Sequence, residues 1–184
     1  MITLESINDF YEAQFREWPG LKASYDALMT AERRIMDMAG MNVGLQYNPQ
    51  RRQSTEAAVD SSSLAKRPCF LCKTNRPKEQ QSLKIIDGWD WLINPYPIFP
   101  VHFTIVSKAH EPQEEIPLDM VAAADAAPCL AFFYNGARSG ASAPDHLPLP
   151  LCISTSSSAS LPLCPGLFSL PLSSASAPFA TALY

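Results

Sequence analysis

Residues 83–94, LKIIDGWDWLIN, decide the fold class: two runs rich in β-branched and aromatic residues flank Asp87-Gly88. An Asp-Gly pair between such runs predicts an antiparallel hairpin closed by a type I′ turn, whose two central residues both take positive φ. Working outward, VHFTIVS (101–107) predicts another strand, and CLAFFY (129–134) predicts a buried strand ending at Asn135-Gly136. Met41, Val43, Leu45 and Tyr47 alternate, so a half-buried strand is expected there, paired with 33–38 across Gly40. Leu4, Ile7, Phe10, Tyr11, Phe15 and Trp18 recur at three- and four-residue spacing, the pattern of an amphipathic helix. Pro19-Gly20 is expected to end that helix; a second should cover 21–31 and a third about 118–127. The polar linker 48–66 reads as a loop. Together these elements predict an α+β domain, an antiparallel sheet with flanking helices.

Composition divides the chain at one place. All charged residues and all three histidines lie within 1–146, whereas 148–184 carries no charge and consists largely of Ser, Pro and Leu. A folded surface normally carries charge throughout, so 148–184 is a low-complexity segment of another kind, expected to be an irregular tail. A net charge of −4 argues against a binder of nucleic acid built on phosphate contacts. The first residues lack a basic region followed by an apolar run, and no stretch has the roughly 18 consecutive apolar residues of a membrane span. The expectation is a cytoplasmic protein with neither a membrane nor a nucleic-acid partner. In that compartment, cysteines at Cys-x-x-Cys spacing favour a metal site over a disulfide frame.

RPCFLCK (67–73) places Cys69 and Cys72 on one tight turn, where two thiolates can grip a single Zn²⁺. Redox pairs and ordinary buried thiols share this spacing. A structural zinc needs four ligands, and His110, after a strand, and His146, after a Gly/Ser loop, can complete a Cys₂His₂ set. His102 falls mid-strand, where a histidine is more often a satisfied core residue than a ligand. The loop NGARSGAS (135–142) offers Asn135, Gly136, Arg138, Ser139, Gly140 and Ser142. Backbone N–H groups and hydroxyls there suit phosphate oxygens, with Arg138 as a charged clamp, although these are also the common turn residues. Arg51, Arg52 and Ser54 after QYNP read either as further phosphate contacts or as a solvated basic loop.

Taken together, NPYPIFPVHFTIVSKAHEPQ (94–113), CFLC (69–72) and NGARSGASAPDH (135–146) resemble one family. It is the galactose-1-phosphate uridylyltransferase and diadenosine tetraphosphate phosphorylase branch of the histidine-triad-like superfamily. The likeness covers roughly residues 15–147, and QYNPQRRQST and RPCFLC are similar to a bacterial group within that branch. The resemblance implies an antiparallel sheet with flanking helices. It implies a nucleoside diphosphate sugar or dinucleoside polyphosphate as ligand. It also implies a structural metal on Cys69, Cys72, His110 and His146, the first histidine of a His-x-His-x-Gln motif.

At that motif the chain departs from the family, whose second histidine is the nucleophile that carries the nucleotidyl group covalently. Here the motif reads His146-Leu147-Pro148-Leu149-Pro150, so proline stands at the nucleophile's place and at the glutamine's. No catalytic residue can be assigned, and the scaffold is expected to be inactive in nucleotidyl transfer. Alternating prolines also disfavour a strand after His146. The break in composition falls within two residues of the lost motif, which points to a shifted reading frame. One inserted base at codon 147 turns codons for His, Phe and Gln into codons for Pro, Leu and Pro. The expected organisation is an incomplete domain over 1–147 followed by an out-of-frame tail over 148–184. The alternative is a zinc-stapled, non-catalytic module that binds nucleotides or a protein.

Overall fold

The computed structural model describes residues 2–52, 60–113, 119–137, 141–154 and 180–183. Its helices are α1 (Leu4–Glu17), α2 (Pro19–Met29), α3 (Ser61–Lys66) and α4 (Asp119–Ala126). Its strands are β1 (Glu32–Met38), β2 (Met41–Tyr47), β3 (Ser82–Leu83), β4 (Trp89–Ile93), β5 (Phe103–Ser107), β6 (Leu130–Phe133), β7 (Pro148–Ser154) and β8 (Ala180–Leu183). A five-stranded antiparallel sheet has the order β3-β4-β5-β7-β6, and a smaller sheet the order β1-β2-β8, with β8 parallel to β2. The α+β class read from the sequence is the class observed.

Helix α1 starts at a capping box in which Thr3 and Ser6 satisfy each other's backbone N–H groups. Its apolar stripe, Ile7, Tyr11 and Phe15, packs with Leu21 and Tyr25 of α2 onto Trp91, Ile93, Phe103 and Ile105 of the central strands. Pro19 ends α1 and also opens α2 at once, because proline's fixed φ and missing N–H suit the first turn of a helix. The opposite face of the sheet presents Leu92 and Val106, covered by Cys69, Leu71 and Ala143. With both faces covered, all five residues of β4 are buried. The cysteine turn is therefore a lid on the smaller of the two core clusters.

Four local expectations need correction. The type I′ turn is at Ala39-Gly40, with φ of 55° and 82°; at Asp87-Gly88 only the glycine has positive φ. There the β3–β4 connection spans 84–88, because Ile85 and Ile86 pack against the core instead of extending the ladder. The linker 48–66 contains a 3₁₀ turn at Pro49–Arg51 and helix α3, capped by Asp60, whose carboxylate accepts from the N–H groups of Ser62 and Ser63. Strand β6 is half-buried beyond Leu130.

The fourth correction concerns the segment after His146, where no strand was expected. Strand β7 follows directly and lies between β5 and β6. Proline is tolerated because Pro148 is the first residue of the strand, and Pro150 sits where the ladder slips. Leu149 pairs with Ile105 and Cys152 with Phe103, so three steps on β7 meet two on β5. The extra residue forms an irregularity in which no regular ladder donor is required of residue 150. β6 pairs only with 151–154, beyond both prolines. The sheet thus continues past residue 147, while residues 155–179 lie outside those described.

Candidate metal centre

Three separate segments meet at the C-terminal end of β5. The cysteine turn is closed by the Cys72 N–H to the Cys69 carbonyl at 3.2 Å and by the Asn75 amide to the same oxygen at 2.9 Å. Arg76 braces it by donating Nε–H to the Leu71 carbonyl at 2.6 Å while pairing with Asp90 of β4 at 2.7 Å. His110 lies just beyond β5, where the Lys108 N–H donates to Gly88 at 2.9 Å. His146 ends a turn whose N–H returns to Ala143 at 3.2 Å, and the adjoining chain pairs back through Ser107 N–H to Leu147 at 3.1 Å. Arg67 ties the cysteine segment to this turn, donating to the Ser142 carbonyl at 3.0 Å and to Asp145 at 3.2 Å.

The four candidate ligand atoms lie within 4.8 Å of one another. His146 Nδ1 is 3.2 Å from Cys69 Sγ, 3.6 Å from Cys72 Sγ and 3.3 Å from His110 Nδ1; Cys72 Sγ is 3.3 Å from His110 Nδ1. Cys69 and His146 are buried, Cys72 is half-buried and His110 is exposed, so the centre sits at the surface with one ligand facing water. His146 Nε2 donates to the Ser107 carbonyl at 2.8 Å, which leaves Nδ1 with its lone pair toward the thiols. Burial lowers the pKa of His146, keeping it neutral and able to ligate. Burial, then the hydrogen bond and charge of Cys69, push the Cys72 thiol up, so a metal must displace its proton. Cys69, Cys72, His110 and His146, the set assembled from the sequence, could hold a metal ion.

The glycine-rich loop is only partly described. Arg138, Ser139 and Gly140 lie outside the described residues, as does Ser54. At the ends of the loop, the Asn135 carbonyl accepts from Gln113 Nε2 and the Ser142 carbonyl from Arg67, while Gly136 is half-buried. Those two carbonyls therefore serve the fold. His102 is a core residue, as its position suggested. It is 1 % exposed, and its Nδ1 accepts from the Ile98 N–H at 3.0 Å.

A second concavity was not legible in the sequence. A cavity of about 450 Å³ is lined by Trp18, Gly20, Gln50, Arg52, Pro95 and Tyr96, among others. It lies toward the start of β5, the end opposite the metal centre. Arg51 anchors one wall by donating to the Tyr96 carbonyl at 3.2 Å. QYNP and NPYP each stood out in the sequence, but nothing in their spacing of more than forty residues joins them.

A family model described as "Domain of unknown function (DUF4922)" matches residues 10–152. No curated protein and no solved structure matches the chain. Among the described residues, no helix is long and apolar enough to cross a membrane.

Proposed function

The chain belongs to the DUF4922 family, and from the site its residues build we propose a zinc-stapled nucleotide-binding domain that has lost nucleotidyl transfer. The observation that carries the zinc assignment is the convergence of four ligand atoms within 4.8 Å. Zinc–sulfur bonds of about 2.3 Å and zinc–nitrogen bonds of about 2.0–2.1 Å give tetrahedral edges of roughly 3.3 Å between nitrogens and roughly 3.6 Å between nitrogen and sulfur. The two nitrogens are 3.3 Å apart, and three of the four nitrogen-to-sulfur edges measure 3.2–3.6 Å, with the whole set inside 4.8 Å. Two thiolates with two imidazoles suit zinc, and four protein ligands close the shell, which is the mark of a structural site. Bound there, zinc would lock the cysteine turn over Leu92 and Val106.

The nucleotide reading rests on the resemblance and is supported by the cavity. Trp18 and Tyr96 offer aromatic surface for a base, while Arg52 offers a cation for phosphate. Asn135, Gly136, Arg138, Ser139, Gly140 and Ser142 remain a separate proposed phosphate loop, of which Asn135, Gly136 and Ser142 do not line this cavity. Proline at 148 supplies no nucleophile, so a bound nucleoside diphosphate sugar or dinucleoside polyphosphate would not be cleaved through a covalent intermediate. The composition break after residue 147 supports reading the C-terminal segment as out of frame with its ancestor. Sequencing the DNA through codon 147 in three frames tests that point.

Metal analysis combined with calorimetric titration of both ligand classes tests the whole reading. About one zinc per chain with saturable nucleotide binding supports it. Zinc without nucleotide binding would favour the second reading, a zinc-stapled protein-interaction module, and absence of zinc would overturn both.

A further inference from the structure

Strand β1 stands away from both core clusters. All seven of its residues are exposed, and Ile35, Met36 and Met38 leave 61 %, 47 % and 53 % of their surface open. It is also terminal in its sheet, so among the described residues its outer edge has no strand partner. An open edge lined with apolar side chains is a template for pairing with another strand.

The hairpin turn fixes which backbone groups face outward. Ala39 and Gly40 form a two-residue loop, so Met38 and Met41 make a hydrogen-bonded pair, and the alternation repeats at Met36, Arg34 and Glu32. The N–H and C=O groups of Arg33, Ile35 and Asp37 therefore point away from β2.

We propose that β1 pairs antiparallel with β1 of a second copy of this chain, about a two-fold axis through Ile35. In this register Ile35 meets Ile35, Arg33 meets Asp37 at both ends, and Arg34 meets Met36. A two-fold axis normal to the sheet keeps facing residues on one side, so only registers joining like-parity positions are open. The neighbouring register toward the N-terminus sets Arg34 against Arg34, a repulsion. The one toward the C-terminus sets Ile35 against Asp37 and loses both charge pairs. Charge complementarity thus selects one register. Within the chain, Arg33 uses Nε and Nη2 for Gln46 and Leu28, and Asp37 uses Oδ1 for the Gly40 N–H. Nη1 and Oδ2 are left for the pairing. Seven paired residues make less than the roughly 1,200 Å² of a standard interface, so the dimer forms only at raised concentration.

Sedimentation or light scattering of the full chain tests this. The mass should rise from 20.2 kDa toward about twice that between roughly 1 and 300 µM. Ile35→Pro removes an outward N–H without costing a β1–β2 ladder bond, so it should abolish the rise while leaving the melting curve intact. Arg33→Glu and Asp37→Lys should each stay monomeric, because each sets like charges against one another at both ends of the pairing. Their equimolar mixture should dimerise, since in the mixed pair every charge at these two positions again faces its opposite. A chain that stays monomeric throughout, a dimer indifferent to Ile35→Pro, or a mixture that fails to pair would each overturn the proposal.

Discussion

His146 Nε2 sits 2.8 Å from the carbonyl oxygen of Ser107, the last residue of β5. The bond fixes the tautomer, so the ring presents Nδ1 to Cys69, Cys72 and His110, and it couples the metal centre to a central strand. Because Cys69, Leu71 and Ala143 also cover Leu92 and Val106, the residues that build the centre also close the smaller core cluster.

Purified protein should therefore contain about one zinc per chain. Cys72→Ser should lose both metal and stability, because forming such a site is coupled to folding. Elemental analysis with thermal melting checks this; a metal-free protein with an unchanged melting curve would sink it.

Incubation with labelled nucleotide sugars or dinucleoside polyphosphates should leave no acid-labile phosphoramidate on the protein. Removing a covalent nucleophile costs several orders of magnitude in rate. Turnover in the ordinary enzymatic range of about 1–10³ s⁻¹ would refute the assignment of Pro148 to the nucleophile's place.

Stability should fall on acidification through His102. Burial, with Arg51 adding to it, holds this imidazole at about 3, because a proton on Nδ1 would face the Ile98 N–H in a buried site. The unfolded chain takes up that proton near pH 6.5. Between the two values the unfolded state binds the extra proton, so this residue removes up to about 1.4 kcal/mol per pH unit as pH drops, and nothing above pH 6.5. Urea unfolding at several pH values should give a shallower acid limb for His102→Gln than for the parent chain. Parallel limbs would count against the mechanism, and the comparison cancels losses from the metal ligands common to both proteins.

Ala39→Asn should stabilise the hairpin by about 1 kcal/mol, since alanine pays for left-handed backbone that asparagine accepts readily. Denaturant midpoints measure it, and a destabilised variant would contradict the turn assignment.

Asp90→Ala should cost about 3–5 kcal/mol, because Arg76 would be left charged and unpaired beneath the cysteine turn. Zinc affinity should weaken with it. A competition titration with a chelator would expose the error if affinity were unchanged.

Local pattern carried much of this protein. The three- and four-residue spacing in 4–18 marks α1, alternation marks β2, and side-chain chemistry selects Cys69, Cys72, His110 and His146 without any coordinates. Each of these depends on a period or a ligand type that one stretch of chain displays by itself. The tertiary structure decided the rest. Asp87-Gly88 does not form the type I′ turn because Ile85 and Ile86 are drawn into the core and stretch that connection, while Ala39 and Gly40 both take positive φ. Strand β7 forms through two prolines because β5 and β6 supply neighbours on both sides and a slipped register spares the missing donor at Pro150. Arg76 with Asp90, Ser107 with His146, and Arg52 with Tyr96 around the cavity each join residues distant in sequence. Such partners are set by how the sheet and its coverings pack, and no local pattern encodes them.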